Sequence, residues 1–403
     1  MPKKILIFSL AYFPKHVGGA EVAIKEITDR ISPQDYEFHL ICNRFDSTLP
    51  KVEKIGNVTV HRIGITTKNP TMADLIKFPL HLNKVLFQFQ AYVEANKLYK
   101  KHKLDGIWAM MAHATGVPAG KFKQAHPDVK YLLTLQEGDP PEYIENKMKV
   151  FGKAFDRAFT QADQIQVIST FLGKWAKQKG FPGEPVLVPN AVNVGHFSQT
   201  YSESELQAAR QELGFTEKDI LVTTTSRLVH KNAVDDVIRA MAKLPEKVKF
   251  VVFGTGPDGE ILQSLATKLG VADRVLFYGQ IEHSIMPKYL KACDMFIRPS
   301  RSEGMGNSFV EAMAAGLPVI ATQEGGIADF LFDQNLNPEK PTTGWAVRKD
   351  NPKDVTSAIT DIIENPTKVA KVRVTAKTMV TEKYDWNIIA SNMKEKVFDR
   401  LFS

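Results

Sequence analysis

Short apolar runs alternate along the chain with longer stretches whose apolar residues recur at helical spacing. In the first half the pattern predicts strand Lys4–Ser9, helix Ala20–Ile31, and strands Phe38–Cys42 and Val58–Ile63. A long amphipathic region follows from Thr71 to His102, interrupted by Pro79. Then come strand Gly106–Ala109, a short helix after Ala112, strand Lys130–Leu135, helix Glu142–Phe159, strand Gln164–Ile168, helix Thr170–Lys179 and strand Pro185–Val188. This rhythm of strand then helix predicts a mostly parallel sheet with helices on both faces.

The rhythm pauses at Pro189–Glu203, where Asn, Ser, Gly and Thr replace the periodic apolar positions. A domain boundary there gives an N-terminal domain over 1–195 and a C-terminal domain over 196–384. The second series predicts strands Ile220–Thr225, Lys249–Phe253, Val275–Tyr278, Met295–Ile297 and Pro318–Ala321, with helices between them. Helices after Pro352, Pro366 and Asp385 end the chain. The fold class expected is therefore α/β, with two facing Rossmann-like domains. Ligands of open parallel sheets bind at the carboxyl ends of the strands, so the site is expected in the cleft between the domains.

Two domains also follow from the length of 403 residues. Cys42 and Cys293 stand far apart without metal-ligand spacing, which argues against a disulfide framework or zinc site and fits a reducing, cytoplasmic compartment. No apolar stretch reaches about 20 residues, the length of a membrane span. Lys3-Lys4 and the run Ile5–Leu10 mimic a short signal peptide, but Pro14, Lys15 and His16 occupy the place of a small-residue cleavage site, so a buried first strand is expected. The net charge of +7 is uneven: residues 1–195 carry 26 Lys+Arg against 18 Asp+Glu, whereas the rest is nearly balanced. A basic first half fits either an acidic partner or a solvated lysine-rich surface.

The loop after Met295–Ile297 is the richest in chemistry: Arg301-Ser302-Glu303-Gly304-Met305-Gly306-Asn307-Ser308-Phe309-Val310-Glu311. Two carboxylates stand eight positions apart, glycines flank the first, and a helix starts between them. Backbone N–H groups at a helix start favour phosphate, a carboxylate accepts bonds from a sugar diol, and glycine admits close approach. Ser308-x-x-Glu311 also has the spacing of a capping box, which would give Glu311 a purely helical role. Glu303 lies in the loop and has no such alternative.

Followed by Ala312-Met313-Ala314-Ala315-Gly316-Leu317-Pro318, this spacing resembles the donor site of retaining glycosyltransferases of the family-four type, which have the GT-B fold. Arg227-Leu228-x-x-Lys231 matches the family's diphosphate clamp, although as bare sequence it is equally a pair of solvated charges. Gly18-Gly19-Ala20-Glu21 resembles the family's glycine loop beside the donor phosphates, Gly279-Gln280-Ile281 the loop whose backbone contacts the base, and Tyr384-Asp385-Trp386 the start of the last helix, which packs back on the first domain. Gly254-Thr255-Gly256-Pro257-Asp258-Gly259 fits a dinucleotide fingerprint, but it sits mid-domain and the next strand lacks the ribose-binding acid. In the family this loop, with Gly256, borders the base instead.

The first domain departs from the family. Met110 stands where a histidine is usual, with His113 three residues later, and Gln136 replaces a second histidine in Gln136-Glu137-Gly138-Asp139. His113, Glu137 and Asp139 are candidate replacements. The resemblance implies transfer of a hexose-type sugar from a UDP- or GDP-sugar to a glycan, a lipid-linked sugar or a small molecule, with no cofactor, no metal ion and no nucleic-acid partner. Arg227, Lys231, Glu303 and His113 would serve the chemistry. Gly18, Gly19, Asp139, Gly256, Ile281, Gly304, Met305, Gly306, Asn307, Ser308 and Glu311 would bind substrate. The alternatives are a nucleotide-sugar epimerase, or a subunit that binds nucleotide sugar without catalysis. Phe78, Leu82, Leu86 and Phe89 among the lysines of 71–103 fit either a core-packed helix with a basic solvent face or a peripheral contact with a membrane at its inner face.

Overall fold

The computed structural model describes residues 1–15 and 17–402; His16 and Ser403 lie outside the described residues. The chain divides into two units, Met1–Asn190 with the terminal segment from Trp386, and Ala191–Asp385.

The first unit is built on eight strands: β1 (Lys3–Phe8), β2 (Tyr36–Asn43), β3 (Val52–Ile55), β4 (Val58–Ile63), β5 (Gly106–Met110), β6 (Lys130–Leu135), β7 (Gln164–Val167) and β8 (Val186–Leu187). Their order is β3-β4-β2-β1-β5-β6-β7-β8, and every pair is parallel except β3 with β4. The central strands are continuous apolar runs because helices cover both faces. β3 has no apolar face: its alternation is exposed and half-buried, and it is an edge strand guarded by Lys51 and Lys54. The order reverses at β1, which pairs β2 on one side and β5 on the other. The loops after β1 and β5 therefore flank a topological switch point.

A buried polar chain fixes the register of the far side. Trp108 Nε1 donates to Thr134 Oγ1 (2.8 Å), Thr134 Oγ1 to Gln166 Oε1 (2.7 Å), and Gln166 Nε2 to the Val188 carbonyl (2.6 Å). Each polar atom is satisfied across a strand boundary, so a register slip would strand one of them. The terminal helix Trp386–Met393 belongs to this unit, and the turns after it bring Phe398 to Trp108 (5.2 Å between rings) and Phe402 onto Gly106. A Cβ at Gly106 would stand 2.2 Å from the Phe402 ring, so no larger residue fits there.

Two expected elements differ. The helix expected over Glu142–Phe159 is broken into Pro141–Met148, a tight turn Lys149–Phe151 and Lys153–Thr160, because Gly152 takes φ +47. The amphipathic region begins with tight turns at Asp74–Ile76 and Leu80–Leu82; the helix runs only over Asn83–His102.

The second unit has six parallel strands: β9 (Ile220–Thr225), β10 (Val248–Phe253), β11 (Val275–Gly279), β12 (Met295–Arg298), β13 (Val319–Ala321) and β14 (Trp345–Ala346). Their order is β11-β10-β9-β12-β13-β14. β9 runs to β10 on one side and lies beside β12 on the other, in the register Met295↔Val222 and Phe296↔Thr223. A second switch point therefore stands at the carboxyl ends of β9 and β12. Val222, Val237, Phe250, Val252, Ile297 and Ile359 form the centre of a core between this sheet and its helices.

Candidate active site

The loops after β9 and β12 are locked together by Arg301. Its backbone N–H donates to the Lys231 carbonyl (2.7 Å) and its guanidinium to the His230 carbonyl (2.6 Å). The same guanidinium forms a two-pronged pair with Asp235 (2.9 and 3.0 Å) and reaches Asp236 (3.4 Å) and Asp350 (2.6 Å). Burial works against its charge, but the bonds it donates to Asp235 and Asp350 outweigh that and hold its pKa above the usual arginine value. Arg301 thereby fixes the turn carrying Lys231 against the loop carrying Glu303. Arg227 stands on the same β9 loop with its side chain in solvent.

The glycines after β10 brace this loop. A Cβ at Gly254 (φ +138) would stand 1.9 Å from the Ser226 carbonyl oxygen, and one at Gly256 would stand 2.2 Å from that of Leu228. Leu228 N–H also donates to the Thr255 carbonyl (3.0 Å). The dinucleotide-like spacing is thus explained by two backbones in contact.

Glu303 is held from two sides. Its Oε2 accepts from Arg298 Nη2 (2.8 Å) and its Oε1 from the Gly304 N–H (3.2 Å). Gly326 N–H donates to its carbonyl (3.0 Å), and Gly325 (φ +61) leaves no room for a Cβ there. Sequence reasoning missed Arg298, although a cation ending the apolar strand Met295-Phe296-Ile297 was a visible signal. The Arg298 side chain is only 8% exposed, its guanidinium lies over the Phe309 ring (4.3 Å), and it donates to Ser300 Oγ (3.2 Å). Burial pulls its pKa down, and Glu303 and Glu311 oppose that shift. The loop carboxylate expected to have no structural tie is therefore the counter-ion of a buried arginine.

The helix Asn307–Ala315 starts after Gly306 at φ +85. This start overturns the capping-box reading of Ser308 and Glu311. With Gly306 at the cap, Ser308 lies two residues too far in, no side chain caps the helix, and the Ser308 hydroxyl is buried with no hydrogen-bond partner. The first N–H groups, on Asn307 and Ser308, have no intrahelical acceptor. Glu311 Oε1 instead lies 3.5 Å from Nε2 of His283, on the loop after β11. That loop carries Ile281, whose side chain is packed in a core with Phe253 and Tyr289. Met305 likewise turns its side chain inward, at 1% exposure. The structure thus gathers Arg227, Lys231, Glu303, Gly304 and the helix start into one tied pair of loops, with Glu311 beside the Ile281 loop.

In the first unit, Gly18 and Gly19 are exposed and open the helix Gly19–Asp29. Gly18 N–H donates to Glu21 Oε2 (2.8 Å), and burial pushes the Glu21 pKa up. After β5 the chain turns through Met111 at φ +65, a strained value for a side chain of that size. The turn presents His113, 25% exposed, with Nδ1 3.4 Å from Glu137 Oε1. Glu137 is fully buried and also accepts from the Ala112 N–H (2.6 Å) and the Gln136 N–H (2.9 Å). A buried carboxylate therefore orients the imidazole, and Glu137 serves helix and histidine together. Gln136 pairs with Asn190 through both amide groups (3.1 and 3.2 Å). Asp139 is half-buried in the same loop after β6.

Two family models cover most of the chain: Glycosyltransferase Family 4 over residues 17–196 and Glycosyl transferases group 1 over residues 206–379. The alpha-monoglucosyldiacylglycerol synthase of Streptococcus pneumoniae is 34% identical over 340 residues, covering 82% of this chain and 74% of that protein. The chain belongs to the group 1 glycosyltransferases. A GDP-mannose-dependent monoacylated alpha-(1-6)-phosphatidylinositol monomannoside mannosyltransferase of Corynebacterium glutamicum is 25% identical over 310 residues, 74% of this chain and 77% of that one. The crystal structure of Anabaena HepE in complex with UDP-glucose superposes with a TM-score of 0.76 at 21% identity, covering 98% of this chain and 99% of that one. The fold is thus of the GT-B type, and this glycosyltransferase is an enzyme built on two α/β units.

Proposed function

We propose that this glycosyltransferase moves a hexose from a UDP- or GDP-sugar to a lipid-borne acceptor, with retention at the anomeric carbon and without a metal ion. The observation that carries the donor half is the Arg301 lock, which holds the Arg227–Lys231 turn against the Glu303 loop at a switch point. Arg227, Lys231 and the free N–H groups of Asn307 and Ser308 stabilise the leaving diphosphate as its charge develops. Glu311 holds the ribose diol. Glu303, paired with Arg298, holds the sugar hydroxyls and the cationic character at the anomeric carbon. The bond from that carbon to the phosphate oxygen breaks, the acceptor oxygen bonds on the same face, and the acceptor proton passes to the departing phosphate. In the first unit, Gly18 and Gly19 bind phosphate, while His113, oriented by Glu137, and Asp139 hold hydroxyl groups.

The lipid half is supported by the helix Asn83–His102. Its inner face is Phe87, Ala91, Ala95 and Leu98, all buried. A second stripe at four-residue spacing, Val85, Phe89 and Val93, is 53–57% exposed, and Phe78 before it is 81% exposed. The core-packed reading therefore accounts for one face only. Arg44, Lys51 and Lys97, with Glu94 among them, line a groove of about 560 Å³ beside Phe89 and Val93, and Arg62 at its wall is buried against Glu53. Apolar residues ringed by cations fit an anionic lipid surface. Among the described residues no helix is long and apolar enough to cross a membrane. The two relatives named above act on lipid acceptors by their names.

The test incubates the enzyme with UDP-glucose, UDP-galactose or GDP-mannose and vesicles carrying diacylglycerol or phosphatidylinositol acceptors. The expected result is a glycolipid whose anomeric proton coupling matches the donor's. Donor isomerisation without acceptor, or an inverted product, contradicts the reading. Phe89→Ser/Val93→Ser is expected to lower partition onto phosphatidylglycerol vesicles at least about tenfold, without changing nucleotide binding.

A further inference from the structure

A second group of ligating side chains lies in the first unit, at the end of the sheet opposite to the glycine loop. Glu37 and His39 stand two residues apart near the start of β2, on one face of the strand. His61 stands on the neighbouring β4, and His102 is the last residue of the helix Asn83–His102. One ligand atom from each of Glu37, His39 and His102 lies within 4.8 Å of the others. His39 Nε2 is 2.8 Å from Glu37 Oε1, and His39 Nδ1 is 3.1 Å from His61 Nε2. The His102 ring lies 4.3 Å from that of His39, and its buried Nε2 has no hydrogen-bond partner.

Core packing leaves that last atom unexplained, since a buried polar nitrogen without a partner costs stability. Neutral imidazole is the form that ligates metals. Lys4 and Lys101 face the cluster and oppose a cation there, whereas Glu37 and Glu94 favour one.

We propose that Glu37, His39 and His102 bind a divalent zinc ion, with His61 fixing the ring of His39 from behind. Two imidazole nitrogens and one carboxylate oxygen are a borderline donor set suited to zinc, at about 2.0–2.2 Å from the ion. In the bound form His39 Nε2 ligates the ion, and its Nδ1–H donates to His61 Nε2. That partner sets the tautomer of His39. Glu37, 38% exposed, is the side from which the ion enters. The ion would tie the start of β2 to the end of the helix that carries the exposed Phe89 stripe. The site is structural, because no residue of the donor-binding loops takes part.

The test is titration of chelator-treated full-length protein with zinc chloride by calorimetry and with cobalt chloride by visible absorption. The expected result is a single saturable event, with the absorption bands of a four-coordinate cobalt site. His102→Ala and Glu37→Gln should each abolish it, and His61→Ala should weaken it about 10- to 100-fold. Circular dichroism checks that each variant is folded. If His102→Ala does not fold, Glu37→Gln at the half-exposed carboxylate decides. No saturable binding by the wild type, or undiminished binding by Glu37→Gln, overturns the proposal.

Discussion

Glu303→Ala is expected to lower kcat/KM at least about 100-fold, the scale of losing one charge-stabilising contact, and also to destabilise the protein. The second effect follows from Arg298. Its guanidinium is buried over Phe309 and donates to Glu303 at 2.8 Å. Removing the carboxylate leaves a desolvated cation without its counter-ion, at a cost of about 3–5 kcal/mol. The double variant Arg298→Met/Glu303→Gln removes both charges and keeps the volume close, so stability should return to near wild type. Activity should not return, because the carboxylate proposed to hold the sugar is still missing. Urea unfolding and initial rates on wild type, Glu303→Ala and the double variant separate the two effects. If Glu303→Ala transfers at near-normal rates, the carboxylate plays no part in the chemistry. If the double variant regains activity with stability, its only task is to balance Arg298.

Arg227→Ala is expected to show the opposite split. The side chain is solvent-exposed, so unfolding free energy should stay within about 0.5 kcal/mol of wild type. Transfer should nevertheless fall at least about 100-fold, because the guanidinium has its value only when the diphosphate is present. Arg227→Lys should recover part of the rate, since it restores the charge but not the planar fork that matches phosphate oxygens. A variant that keeps full activity would place Arg227 among the solvated surface charges.

The contrast between these residues shows what the sequence could carry. The strands were legible because parallel strands covered on both faces are unbroken apolar runs, and Val58–Ile63, Lys130–Leu135 and Ile220–Thr225 have the expected limits. The edge strand β3 was not, because Val52–Ile55 has no buried face to pattern it. In the loops after β9 and β12, the expectation of phosphate and diol chemistry rested on the residue types of Arg227, Lys231, Glu303 and Glu311. The ties that position them are long-range. Arg301 acts through carbonyls 70 and 71 positions away, at Lys231 and His230, and no local pattern announces that. The capping-box spacing at Ser308 misled for a related reason: Gly306 moved the helix start, and spacing alone does not fix where a helix begins. His113 was a candidate by type, but its orientation depends on Glu137 from the next loop and on the strained turn at Met111.

The central claim is that the loops after β9 and β12 hold a nucleoside diphosphate. Calorimetric titration of UDP and GDP, with NAD as control, into wild type and Arg227→Ala tests it most directly. One nucleoside diphosphate should bind the wild type saturably, stabilise it by about 2.7 kcal/mol at a hundred times its Kd, and lose both effects in the variant. Binding of NAD instead, or nucleoside diphosphate binding that is unchanged in Arg227→Ala, would contradict the account.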